Sequence, residues 1–124
     1  MSNVRVYIVE EFLPVQRALA DRLRGSGALS VVGQSGDFAL AMKEISQIQP
    51  DVVLMEIKRR DGLGLEMLRR LSELDPRPVL IVLTSYPAVW EEKASLRAGA
   101  QEYCVKEIEA QELIARIQQF VNEG

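Results

Sequence analysis

The 124 residues suit a single domain, 1–124, long enough to bury a full core without disulfides or a structural metal. A net charge of -3 gives no electrostatic reason to expect nucleic-acid binding by this domain, which would favour a strongly basic face. The single Cys104 sits in an apolar run and excludes an internal disulfide, no apolar run reaches membrane-spanning length, and no signal-peptide features precede the first strand. These features lead us to expect a soluble cytoplasmic protein.

Strand-like and helix-like segments alternate five times, which predicts an α/β fold: a doubly wound, five-stranded parallel sheet with five helices on both faces. The first strand is expected near 4–9 and ends at the acidic pair Glu10-Glu11. Pro14 opens a helix with Val15, Leu19 and Leu23 at helical spacing, and Gly25 is its stop. A second strand near 30–34 leads to Asp37, a predicted N-cap for a helix carrying Leu40, Met42 and Ile45 and ended by Pro50. The third strand, near 51–56, closes on Glu56. A helix then follows Gly64, turns Leu65, Leu68 and Leu71 inward and stops before Pro76. The fourth strand, near 79–84, ends in Thr84. Pro87 then opens a helix containing Val89, Ala94 and Leu96, which Gly99 terminates. A short strand near 102–105 runs into Lys106, and a helix over roughly 109–122 buries Leu113, Ile114, Ile117 and Phe120.

Four strands thus deliver acid, acid, hydroxyl and ammonium to one edge. Parallel α/β sheets place their sites outside the carboxyl ends of the strands, so function is expected there. An acidic pair, an acidic acceptor position, Thr and Lys, in that order, resemble the pattern of response-regulator receiver domains, which have a flavodoxin-like, chemotaxis-regulator-like fold of strand order 2-1-3-4-5. Gly64, Leu83-Thr84-Ser85-Tyr86 and Ala98-Gly99-Ala100 ahead of Tyr103 support the resemblance, which covers nearly the whole chain. Met1-Ser2-Asn3-Val4-Arg5-Val6 and Gln49-Pro50-Asp51-Val52-Val53-Leu54-Met55 are most similar to receivers that precede a DNA-binding helix-turn-helix. The chain's end after its last helix fits either a single-domain protein or a receiver ahead of an output domain.

The resemblance implies that Glu56 holds the phosphoacceptor position, that Glu10, Glu11 and Glu56 with the backbone carbonyl of Lys58 stand where Mg²⁺ binds, and that Thr84 and Lys106 stand where phosphoryl oxygens are contacted. Thr84 and Tyr103 match the family's switch pair. The family ordinarily has aspartates at the acceptor and commonly at the pair, and proline at the position of Arg60. Glutamate at all three positions adds a methylene to each ligand of an ion that demands octahedral geometry, so magnesium binding is expected to be weak or absent and no cofactor is expected, Mg²⁺ being the alternative. A basic group among Lys58, Arg59 and Arg60, folded back onto Glu10, Glu11 or Glu56, would replace the metal; otherwise the three solvate a loop. Glu56 is either a partial mimic of the phosphorylated state, reaching Thr84 and Lys106, or a vestige paired with Lys106.

The expected function is an atypical signalling receiver, not an enzyme in its own right, that works through a protein partner or homodimer on the face of the fourth helix, last strand and last helix. Trp90 and Tyr103 are its candidate anchors, with Trp90 expected near Tyr103. The rival reading is a conventional Mg²⁺-dependent phosphoacceptor served by a histidine kinase. A small-molecule sensor is disfavoured because the pocket lacks an apolar lining, and a nucleotide site because no Gly-rich loop follows the first strand.

Overall fold

The near-continuous apolar runs along the chain become strands buried on both faces, as parallel sheets between helical layers require. The computed structural model describes residues 3–123. Its elements are β1 (Val4–Val9), α1 (Leu13–Arg24), β2 (Leu29–Ser35), α2 (Phe38–Ile48), β3 (Val52–Glu56), α3 (Gly64–Ser72), β4 (Val79–Thr84), α4 (Val89–Ala98), β5 (Glu102–Val105) and α5 (Ala110–Glu123). All strand pairs are parallel, in the order β2-β1-β3-β4-β5. This is the expected flavodoxin-like topology, with each crossover made by a helix.

Alternation along the strands splits the core in two. Val6, Ile8, Leu54, Ile81 and Leu83 pack with Leu19 and Leu23 of α1 and Leu113 and Ile117 of α5. Tyr7, Val53, Met55, Leu80 and Val82 pack on the other face with Ala41 and Ile45 of α2, Met67, Leu68 and Leu71 of α3, and Ala98 of α4. Each fully buried aliphatic side chain contributes about 1.5–3 kcal/mol relative to an exposed one, so these two layers supply the driving force for folding. Cys104 is buried in the first layer, as expected of a small hydrophobe.

Local signals set most boundaries. The Asp37 carboxylate accepts from Leu40 N at 2.8 Å, making the predicted N-cap. Gly25 caps α1 as expected. At Gly64 a Cβ would lie 1.9 Å from the Ile57 carbonyl oxygen, so only glycine lets α3 start so close to the end of β3.

On two helices the inward face is not the one marked by the largest apolar residues. Leu40 is 46% exposed, because Ala41 and Ile45 define the inward stripe of α2. On α4, Val89 and Leu96 are 68% and 45% exposed, and the buried positions are Glu91, Ser95 and Ala98. That helix turns a polar face inward because a cation from another loop waits beneath it. As expected, α3 stops before Pro76, closing at Ser72 with Glu73 as its C-cap.

Candidate functional site

Register carries the four sequence signals to one place. Val9 pairs with Met55, Glu56 with Leu83, and Thr84 with Val105, so Glu10, Glu56, Thr84 and Lys106 emerge at the same edge of the sheet. Backbone bonds fix the ends: Glu10 N donates to Ser35 O at 3.1 Å and Lys106 N to Thr84 O at 2.9 Å. Arg22 of α1 ties down the turn after β5 by donating to the carbonyls of Lys106 at 3.3 Å and Ile108 at 2.5 Å.

The Lys106 ammonium lies between two buried carboxylates. It bonds Glu10 Oε1 closely and stands 2.9 Å from Glu56 Oε1, with the side chains of Glu10 and Glu56 only 7% and 9% exposed. Burial alone would lower the affinity of Lys106 for its proton, but hydrogen bonds and charge from Glu10 and Glu56 outweigh it and raise the pKa.

The second carboxylate oxygens of Glu10 and Glu56 also have protein donors. Glu10 Oε2 accepts from Phe12 N at 3.1 Å and Glu56 Oε2 from Lys58 N at 3.0 Å. Glu11 turns aside: its Oε1 accepts from Arg60 N at 2.7 Å, and its Oε2 lies 3.8 Å from Arg59 Nη2. Arg59 is held there by Gly36 O and Asp61, each at 3.0 Å, with its guanidinium 5.9 Å from the centre of the Phe38 ring. Arg59 in turn holds the Asp61 carboxyl below its usual pKa.

The magnesium ion implied by the resemblance needs carboxylate oxygens free to face one centre. Among the described residues no group of three or more His, Cys, Asp or Glu converges in that way, and Lys106 stands between two of the three glutamates. As arranged, these residues do not fit the ion. Beside them lies an open cleft of about 800 Å³ bordered by Glu10, Glu11, Phe12, Leu13, Gln16, Gln34, Ser35, Gly36, Asp37, Lys58 and Arg60.

The second half of the site differs from expectation. Lys58 does not fold back onto the glutamates. Its Nζ donates to Thr84 Oγ1 at 3.1 Å, to Tyr86 O at 2.8 Å and to Glu91 Oε1 and Oε2 at 2.7 and 2.9 Å. Of the three basic residues, Arg59 supplies the side chain nearest the acids, and Arg60 supplies only its backbone N–H. The expected reach of Glu56 towards Thr84 is not seen: the Thr84 hydroxyl is fully buried and accepts from Lys58 and from Tyr86 N at 3.3 Å.

Tyr103 donates to Glu91 Oε1 at 2.5 Å and accepts from Ala88 N at 3.1 Å. Burial, and then the bond to Glu91, push its phenol up to about 12. Trp90 is 67% exposed and borders a cleft of about 320 Å³ with Ile57, Lys58, Gly62, Gly64, Leu65 and Glu91, at the loop between β3 and α3. Reading the sequence missed Glu91. The available signal was the stripe Glu91, Ser95, Ala98 at i, i+4 and i+7, which shares one helix face.

A family profile described as the response regulator receiver domain matches residues 6–118. The chain is 36% identical over 110 residues to the DNA-binding transcriptional activator DevR/DosR of Mycobacterium tuberculosis, covering 89% of this chain and 51% of that protein. It therefore spans about half the length of that relative. Among solved structures it resembles a LuxR-family two-component response regulator from Aurantimonas, with TM-score 0.88, 20% identity and coverage of 98% and 87% of the two chains. It also resembles the response regulator domain of Thermotoga maritima CheB, with TM-score 0.84, 25% identity and 98% coverage of each. No described helix is long and apolar enough to cross a membrane. The strand order, the four strand-end residues and the match over residues 6–118 together make this chain a member of the response regulator receiver family.

Proposed function

We propose that this receiver domain is a signalling module that works by protein–protein interaction without conventional aspartyl phosphorylation and has no enzymatic activity of its own. The observation that carries the reading is the position of Lys106, whose ammonium neutralises Glu10 and Glu56 together while Glu11 is engaged by the Arg59-Arg60 loop. Charge that a divalent cation would otherwise offset is offset from within. Glu56 reproduces one contact expected of a phosphoryl group, that with Lys106, while Lys58 takes the contact with Thr84. This division favours a self-neutralised pocket over full mimicry of the phosphorylated state.

The surface for partners is the face of α4, β5 and α5. It presents Val89, Trp90, Leu96 and Val105, at 68%, 67%, 45% and 40% exposure. Aromatic anchors and apolar neighbours of this kind form the desolvated centre of interfaces. The occupant is a protein partner or a second copy of the chain, and the setting is cytoplasmic. In a longer protein like the DNA-binding relative, that face governs a separate transcriptional output domain, and this domain makes no nucleic-acid contact itself.

The rival reading, a magnesium-dependent phosphoacceptor served by a histidine kinase, draws on the retained Thr84 and Lys106. Titration calorimetry with millimolar Mg²⁺ separates the two. No saturable heat is expected, and tight, saturable binding would overturn the self-neutralised pocket.

A further inference from the structure

The fourth helix is built inside out. A surface helix ordinarily buries its apolar stripe, yet α4 buries Glu91 and Ser95 beside Ala98 and leaves Val89, Trp90 and Leu96 exposed. A carboxylate is buried favourably only when paired and hydrogen-bonded. For Glu91, whose side chain is 5% exposed, the partners are Lys58 Nζ, at 2.7 and 2.9 Å, and the Tyr103 hydroxyl, at 2.5 Å. One turn further along the same face, the buried Ser95 hydroxyl has no hydrogen-bond partner among the described residues and adds no polar hold.

Lys58 is the hub of this arrangement. Its three protons serve acceptors on Thr84, Tyr86 and Glu91, so a single ammonium joins the loop after β3 to the end of β4 and to the first turn of α4. Through Glu91 the link continues to Tyr103, and from there to Ala88 N just ahead of the helix. Lys58 also borders both clefts, the acidic one beside Glu10 and Glu11 and the one beside Trp90.

We infer that Lys58 and Glu91 form an internal latch that fixes the first turn of α4, and with it Thr84, Tyr103 and the exposed Trp90 surface, in one arrangement. The state of the output face is then set by this ion pair and not by chemistry at Glu56. The latch deepens the proposed function, since it rests on the reading of that face as the partner surface. Its regulation would come from whatever competes for either charge: a partner cation that takes Glu91 or a partner anion that takes Lys58 frees the first turn of α4.

The test is amide hydrogen exchange read by mass spectrometry on the isolated chain, which needs no partner. In Lys58→Met and in Glu91→Gln, amides of residues 88–95 should exchange at least about tenfold faster, while α2 and β3 keep their protection. Lys58→Arg, which keeps a cation able to bind a carboxylate, should stay close to the unmodified protein. The double change Lys58→Met with Glu91→Met leaves no orphan charge and should recover much of the protection lost in Lys58→Met. Emission from Trp90, the only tryptophan, should shift in the two single variants and not in Lys58→Arg. Unchanged exchange of residues 88–95 in Lys58→Met with its core intact would overturn the latch, as would an equal rise of exchange throughout the sheet. If the latch passes and no partner binds this face, the proposed function fails alone.

Discussion

Replacing Lys106 by Met removes the one cation between Glu10 and Glu56 and leaves two carboxylates, 7% and 9% exposed, without their shared partner. Breaking a buried ion pair by deleting one member costs about 3–5 kcal/mol. The 18% exposure of the Lys106 side chain lets water reach the gap and places the expected loss near the lower end, about 3 kcal/mol. That is a large share of the roughly 5–15 kcal/mol that holds a domain folded. With a urea slope of about 1.5 kcal/mol/M, the unfolding midpoint should fall by about 2 M. Adding Glu10→Gln and Glu56→Gln to Lys106→Met should return part of the loss, because the orphaned charges are gone, and the non-additivity measures their coupling. The pH dependence has a definite sign. The folded pKa of Lys106 is raised above its ordinary 10.5, so its contribution is complete below that pH and disappears as pH rises through the folded value. The gap between unmodified protein and Lys106→Met should therefore narrow only in strong alkali. A loss below about 1 kcal/mol at neutral pH would refute the self-neutralised pocket, since a pair worth so little behaves like an exposed one.

Three further outcomes are expected. The Tyr103 phenol, raised from 10.0 to about 12, should titrate earlier in Glu91→Gln, read as phenolate absorbance against Tyr103→Phe; its stabilising contribution is complete below pH 10 and is lost as pH rises between those values. Gly64→Ala should destabilise by at least about 2 kcal/mol in urea unfolding, because a Cβ 1.9 Å from the Ile57 carbonyl oxygen forces the loop after β3 to move, and a neutral effect would mean that the loop yields freely. Trp90→Ala should weaken any self-association or partner complex by at least about 1 kcal/mol, and unchanged affinity in a folded variant would move the interface elsewhere.

The sheet was legible because its strands are apolar runs bounded by turn residues, and the acidic edge because β1, β3, β4 and β5 end on residues of distinct chemistry. Pairing within that edge was only partly legible. That Lys106 meets Glu10 and Glu56 followed from their common position at strand ends, whereas the fate of Lys58 did not, because its acceptor Glu91 lies 33 residues away on a helix. The inward face of α4 was hidden for the same reason. Val89 and Leu96, seven residues apart, share a face that resembles a core stripe, but the inward face was claimed by Glu91 once Lys58 was beneath it. The exposed Leu40 is a simpler case, since Ala41 and Ile45 already fill the space over the sheet. Helix membership fixes only the element that carries Trp90, and the cleft it borders, at the loop after β3, depends on how α4 is rotated.

The most direct test of the central claim is intact mass after incubation of the unmodified protein with a small phosphodonor and Mg²⁺, with Glu56→Asp and the triple change of Glu10, Glu11 and Glu56 to Asp run beside it. The account predicts no phosphoryl adduct on the unmodified protein, little on Glu56→Asp, and clearly more on the triple variant, because residues acting as one unit recover together. Robust phosphorylation of the unmodified protein at Glu56, or full recovery by Glu56→Asp alone, would contradict it.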